Sequence, residues 1–257
     1  MSNQIERGFQ IIENLAKFGQ LDIDEIHAHT AIPRSTIFKL LVNLESQGYI
    51  LRKNFNGRSD FWSLTIKFLK ISRLILSRIS FKDEIKDVLI NLSKETKETV
   101  QLGVYSNKKF MYIDVIEKPG SIISYLGVGT EFPVNLSAAG MVLAAALPDE
   151  ELNELLKNTV FPKNTPYSIT EPDKIKKMIK KVKADGYAFD NEYYYIGIRC
   201  LAAPVYNFEE KTIAAINITG HVSTMSDKNI DFLKMKLLKA SLEASKIMGF
   251  EHRDSLA

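Results

Sequence analysis

The chain has 257 residues, 45% of them hydrophobic, enough for two domains of ordinary size with apolar cores. No apolar run is long enough to span a bilayer, and Met1-Ser-Asn-Gln-Ile-Glu-Arg7 lacks the basic region and apolar stretch of a signal peptide, so the expected location is the cytoplasm, without a membrane partner. Net charge is only +3, and a single cysteine, Cys200, excludes an internal disulfide.

The charge is unevenly spread. Residues 1–80 hold eleven Lys and Arg against seven Asp and Glu, whereas the remainder holds 23 against 24. A basic bias confined to the first third fits a segment that meets phosphates. Within it, Ile5, Phe9, Ile12, Leu15 and Ala16 recur at helical spacing and predict a helix ending near Phe18-Gly19. Asp22 and Glu25 form a capping-box pair that opens a short second helix through about Thr30. His27 and His29, two residues apart, do not share a helix face and are expected to be solvated side chains, with no metal between them.

A tight turn at Thr30-Ala31-Ile32 leads into a third helix, for which Pro33 suits the first position and Gly48 the stop. Ile37, Leu40, Leu41 and Leu44 make one apolar stripe, while Arg34, Ser35, Thr36, Phe38, Lys39 and Asn43 point elsewhere. The free face carries a guanidinium, two hydroxyls and an ammonium, groups that meet base edges and phosphates, with Phe38 suited to a thymine methyl. Alone, such a helix reads as an ordinary amphipathic surface helix. Helix, short helix, turn and amphipathic helix in this order read as a helix-turn-helix.

Asn56-Gly57 between two β-prone segments is a hairpin signal, because both residues tolerate positive φ in a tight turn. A hairpin here is a wing, and Arg52, Lys53 and Arg58 lie on or beside it, where they could track the phosphate backbone. From Thr65 to Ile79 the pattern is helical, with Phe68, Leu69, Ser72, Ile75, Leu76 and Ile79 on one side and Ile66, Ile71 and Leu74 off it. That arc is too wide for a surface helix, so a connecting helix is expected, packed on its own DNA-binding domain and on a second subunit. Ser80 separates it from a helix over Phe81 to about Glu95. The expected division is 1–64 for the winged helix-turn-helix domain, 65–80 for the linker helix and 81–257 for the rest.

Beyond residue 95, Thr99–Tyr105 and Phe110–Ile116 read as a hairpin, followed by a strand over Ile122–Val128. A small-residue helix covers Leu136–Ala146. Helices follow at about 149–157 and 172–184, then strands at 201–206 and 212–219. A final helix over 227–248 has Ile230, Leu233, Leu237, Ala240, Ala244 and Ile247 on one face. Strands and helices mixed in this way give an α+β fold.

Four stretches in order carry a resemblance: Pro33-Arg-Ser-Thr-Ile-Phe-Lys-Leu-Leu41, Pro133-Val-Asn-Leu-Ser-Ala-Ala-Gly-Met-Val-Leu-Ala144, Asp190 through Gly197-Ile-Arg-Cys-Leu-Ala-Ala-Pro-Val205, and Ala214-Ala-Ile-Asn-Ile-Thr-Gly220. They are similar to motifs of IclR-type transcriptional regulators, and the resemblance covers essentially the whole chain. It implies an N-terminal winged helix domain and a C-terminal effector-binding domain of GAF-like fold, working as a dimer or a dimer of dimers on a double-stranded operator. It also places effector contacts on Ala138, Ala139, Asp190, Ile198, Cys200, Asn217 and Thr219. Asn135 and Met141 depart from the family's usual His and Lys, and Asn217 and Thr219 stand where serines are common, which bears on which effector is bound.

Chemistry points the same way. Amides at the start of the helix near Ser137–Gly140 favour a small carboxylate, the small Ala138 and Ala139 let it approach, Asn217 and Thr219 offer hydrogen bonds, and Asp190 can accept from a hydroxyl. The expected effector is a small hydroxylated or keto acid, with no cofactor. Its binding would shift the arrangement of two subunits, and the connecting helix would carry the change to the spacing of two recognition helices. The alternatives are a ligand sensor whose helix-turn-helix no longer binds DNA, or an enzyme using Cys200 as nucleophile, His221 as base and Asp190 as orienting acid.

Overall fold

A computed structural model describes residues 4–54, 60–76, 80–118 and 127–251. The chain divides into two compact units, residues 1–79 and 80–257.

In the first unit, α1 (Gln4–Phe18), a two-residue strand β1 (Gln20–Leu21), α2 (Ile23–Thr30) and α3 (Arg34–Ser46) precede a hairpin of β2 (Ile50–Asn54) and β3 (Asp60–Leu64), then α4 (Lys67–Leu76). The capping box is present in both directions: Glu25 N–H donates to Asp22 Oδ1 and Asp22 N–H to Glu25 Oε2, each at 2.9 Å. Ala31 turns the chain at φ 56°. Pro33 stands one residue before α3 with an extended ψ of 136°, not inside its first turn. Gly48, at φ 72°, ends α3, and the Tyr49 amide reaches back to the Leu44 carbonyl at 3.0 Å. Ile11, Leu15, Leu21, Ile26, Ile32, Ile37, Leu41, Ile50 and Trp62 form the core, with Leu40 and Leu44 packed against it. This core fixes α3 by its apolar stripe.

The sheet order is β1-β3-β2. β1 escaped the sequence reading because two residues carry no periodicity; pairing with Ser63 and Trp62 defines it. The hairpin tip, with Asn56, Gly57 and Arg58, lies outside the described residues. The histidine expectation needs correcting for His27, which is half-buried and donates a ring N–H to the Ile32 carbonyl at 2.7 Å; His29 is exposed as expected and stacks on Phe18 at 4.4 Å. His27 thereby ties α2 to the turn that aims α3.

The second unit opens with α5 (Ser80–Glu84) and α6 (Lys86–Thr96), broken at the buried Ile85 where one continuous helix was expected. An antiparallel sheet follows in the order β5-β4-β8-β7-β6, made of β4 (Thr99–Ser106), β5 (Lys109–Ile116), β6 (Ala188–Asn191), β7 (Ile198–Tyr206) and β8 (Thr212–His221). A 3-10 turn at Val134–Leu136 leads into α7 (Ala138–Ala145), then α8 (Asp149–Asn158), α9 (Pro172–Asp185) and, after β8, α10 (Ile230–Ile247). Of the strand expected over 122–128, residues 122–126 lie outside the described residues, and Gly127 and Val128 enter a turn closed by Thr130 N–H on the Gly127 carbonyl.

Strand alternation sends Leu201, Ala203, Val205, Ile216 and Ile218 to the face covered by α6 and α10. Cys200, Ala202 and Ala215 lie on the other face, in one cluster with Ala138 and Ala139 of α7. Gly103, Ala202 and Ala215 are small, so α7 lies close on the sheet; a Cβ at Gly103 would stand 3.6 Å from that of Ala139. On α10, Leu233, Leu237, Ala240 and Ala244 are buried as expected, but Ile230 is half-buried in the first turn and Ile247 is exposed in the last.

Gly220 admits no side chain, because a Cβ there would sit 2.6 Å from Glu98 Oε2 and 2.9 Å from Met225 Cγ, and Glu98 and Met225 are both buried. Gly220→Ala should therefore destabilise the second unit by about 1–3 kcal/mol, read as a lowered melting temperature. An unchanged melting temperature would show that Glu98 can move aside.

Candidate functional site

On α3 the buried residues are Ile37 and Leu41, while Arg34, Ser35, Phe38, Lys39 and Asn43 are exposed and Thr36 is half-buried. Ser35, Lys39 and Asn43 lie on the face opposite the core, Phe38 flanks it, and Arg34 is exposed in the first turn. Phe38 and Val42, one turn apart, are 45% and 40% exposed. Val42 was not singled out from the sequence, although its spacing from Phe38 was the available signal. Arg34 Nε is held by Asp24 Oδ1 of α2, an exposed pair that DNA can replace. On the wing, Lys53 is exposed, whereas Arg52 is already engaged: it pairs with Asp60 across the hairpin and lies over the Trp62 ring at 5.6 Å. The hydrogen bond from Arg52 holds the Asp60 carboxyl below the usual carboxylate range. Arg58 lies outside the described residues.

In the second unit the seven expected effector residues fall on α7 and three adjacent strands. Asp190 pairs with Cys200, and Cys200 with Thr219, in one cross-strand row. Thr219 and Asn217 lie two apart on β8, and Asn217 pairs with Gln101 of β4. Cys200 Sγ is 3.4 Å from Thr219 Oγ1. Ile198 is half-buried against the same cluster that holds Ala138, Ala139 and Cys200. At the start of α7, the Ser137 hydroxyl accepts from Gly140 N–H at 3.2 Å, and the Ser137 carbonyl accepts from Met141 N–H at 3.0 Å. The amides of Ala138 and Ala139 are thus the ones the helix itself cannot satisfy.

Two residues join this group that sequence reasoning did not name. Gln101 Oε1 accepts from Asn217 Nδ2 and from Thr219 Oγ1, each at 2.7 Å. Tyr112, on β5, is buried beside Ser137, and burial pushes its phenol far above its usual range. An alternating polar residue, as at Gln101 between Val100 and Leu102, was the signal for the first. Thr219 spends its proton on Gln101, so it does not offer the free donor expected of it.

Burial dominates the acidity here. Asp190 is pushed up to about 7 by loss of solvent, against lowering by the Tyr193 amide at 2.8 Å and by Cys200. Burial likewise pushes the Cys200 thiol well up, with the Asp190 charge adding to it. An activated thiol needs the opposite shift. His221 is exposed and engaged through Nδ1 with the Ser223 hydroxyl at 2.8 Å.

A run of hydrogen bonds leads from the segment before α7 to this group. Asn135 Nδ2 donates to the carbonyls of Pro162 and Ile169, both at 2.9 Å. From that loop, the hydroxyls of Thr165 and Ser168 donate to the carbonyls of Glu192 and Tyr193, both at 2.7 Å. The Tyr193 amide then donates to Asp190. Asn135 thus has a specific task, and Met141 is buried in the core. A separate groove of about 510 Å³, lined by Val142, Ala146, Val182, Lys183, Tyr206 and Lys211 among others, touches none of the expected residues.

A winged helix-turn-helix in one unit and a buried polar row beneath a capped helix start in the other define a DNA-binding regulator with a ligand-responsive domain. Residues 4–53 match the IclR helix-turn-helix domain and residues 74–246 the bacterial transcriptional regulator IclR C-terminal domain, so the chain belongs to the IclR family of effector-controlled transcriptional regulators. It is 30% identical to the HTH-type transcriptional regulator XynR of Escherichia coli K12, over 96% of this chain and 97% of that one. Identity to the E. coli K12 regulator KdgR is 26%, over 94% and 91%. The crystal structure of Thermotoga maritima IclR superimposes with a TM-score of 0.76 at 28% identity, covering 96% of this chain and 98% of the other. No helix among the described residues is long and apolar enough to cross a membrane.

Proposed function

We propose that Arg34, Ser35, Thr36, Phe38, Lys39 and Asn43 read the operator, that Arg52, Lys53 and Arg58 track its phosphates, and that a small carboxylate at the start of α7 controls this grip. In this reading residues 1–64 bind DNA, residues 65–80 connect, and residues 81–257 bind the effector through Ala138, Ala139, Asp190, Ile198, Cys200, Asn217 and Thr219. The observation that carries the effector half is the capped, fully buried start of α7 against the polar row of β6, β7 and β8. Amides there favour an anion, and the row supplies polar partners.

Two copies act together in the cytoplasm, as a dimer or a dimer of dimers. Exposed apolar side chains on the first unit support pairing: Ile66 is 83% exposed and Leu69 of α4 69% exposed. The protein regulates and does not catalyse, a reading supported by the raised thiol of Cys200.

A thermal-shift screen of small hydroxy and keto acids tests the effector. A ligand at a hundred times its Kd adds about 2.7 kcal/mol to the native state, enough for a clear rise in melting temperature. The same acid should alter a gel shift on upstream DNA. Silence across the panel, with aromatic acids active instead, overturns the small hydroxy- or keto-acid reading. Absence of any DNA binding at low salt would instead favour a sensor that has lost its DNA partner.

A further inference from the structure

This inference deepens the carboxylate reading above and rests on it. Gln101, Asn217 and Thr219 are each 0% exposed, and the side-chain donors of Asn217 and Thr219 are used within this group. Asn217 Nδ2 donates to Gln101 Oε1 at 2.7 Å and to Thr219 Oγ1 at 2.8 Å, and Thr219 Oγ1 donates to Gln101 Oε1. One acceptor is left over. Asn217 Oδ1 is buried and has no hydrogen-bond partner among the described residues.

Buried amide oxygens are rarely left unpaired, because the water they give up must be replaced. Asn217 stands two residues along β8 from Ala215, which packs in one cluster with Ala138 and Ala139, so the free oxygen belongs to the face that α7 covers. The amides expected to hold a carboxylate are on that same face. A serine at this position could turn its hydroxyl to donate or accept; the asparagine, with its NH2 already committed, can only accept.

We infer that the effector presents a hydrogen-bond donor to Asn217 Oδ1, so that the site selects a hydroxy acid over the matching keto acid or unsubstituted acid. A keto oxygen would set one acceptor against another. An unsubstituted carbon would leave Oδ1 unpaired. The expected order of affinity is therefore hydroxy acid, then unsubstituted acid, then keto acid.

The experiment is calorimetric titration of the full-length protein with matched probes: lactate, propionate and pyruvate, then gluconate and hexanoate, with sorbitol as a neutral polyol. The hydroxy acid should bind roughly tenfold or more tightly than its unsubstituted partner, with pyruvate weakest of its set. Propionate or pyruvate binding as well as lactate overturns the inference. Binding of sorbitol without any acid supports the donor requirement while removing the carboxylate reading, and a set in which nothing binds removes both. Asn217→Ser, with folding checked by thermal denaturation, should shrink the discrimination to a few-fold. Wild-type discrimination in that variant also overturns the inference.

Discussion

Leu41→Ala should lower the stability of the first unit by about 2–5 kcal/mol, while Arg34→Ala should leave that stability nearly unchanged and weaken operator binding roughly tenfold or more. Leu41 is fully buried among Ile11, Ile26, Ile37 and Trp62, so truncation removes apolar contacts and leaves a cavity. Arg34 is exposed in the first turn of α3, where it pairs with the exposed Asp24. Trp62 is the only tryptophan and is 1% exposed, so its fluorescence during denaturation reports this unit alone. A gel shift at several salt concentrations reads the other variable. Loss of a phosphate contact should reduce the salt slope by about one, whereas loss of a base contact should leave the slope and relax sequence preference. If Arg34→Ala binds as tightly as the wild type, α3 does not present that end to DNA.

The second large effect concerns pH. Asp190 titrates near 7 in the folded chain and in the ordinary carboxylate range when unfolded. Between those values the folded state holds a proton that the unfolded state has released. Stability contributed by this group therefore falls as pH rises from about 4 to 7, then levels off. Asp190→Asn keeps a neutral side chain at all pH values and should remove that fall. Between pH 5 and pH 8 the variant should gain on the wild type by on the order of 2 kcal/mol, measured by denaturation at each pH. Parallel profiles would mean that the carboxyl ionises freely despite its burial. At the proposed site the same proton would favour an anionic effector, since an ionised Asp190 beside it is unfavourable.

The sequence made the first unit legible because its signals are local. A capping box, a turn, a stripe at helical spacing and an Asn-Gly hairpin each depend on residues close in the chain, and α2, α3, β2 and β3 follow them. What escaped depends on distant partners. β6 has only four residues, Ala188-Phe-Asp-Asn191, with no apolar alternation, and it exists because β7 pairs with it. His27 finds its partner across a turn, and the role of Gln101 appears only when β4 lies beside β8. The resemblance named seven expected effector contacts, but the sequence could not tell that Thr219 spends its hydroxyl inside the protein. That fact is a matter of cross-strand register, which one chain of letters does not display.

The run of hydrogen bonds from Asn135 through the 162–169 loop to Asp190 has a thermodynamic consequence. Ordering a loop around a ligand at the moment of binding subtracts from affinity, and each side chain immobilised then adds to the loss. Here the segment before α7, the loop and the β6–β7 turn are already joined by side chains whose bonds lie within 2.7–2.9 Å. Most of that disorder is removed during folding. At the proposed site, a small molecule with few atoms to offer would then lose little of its modest interaction energy to assembling the place where it binds.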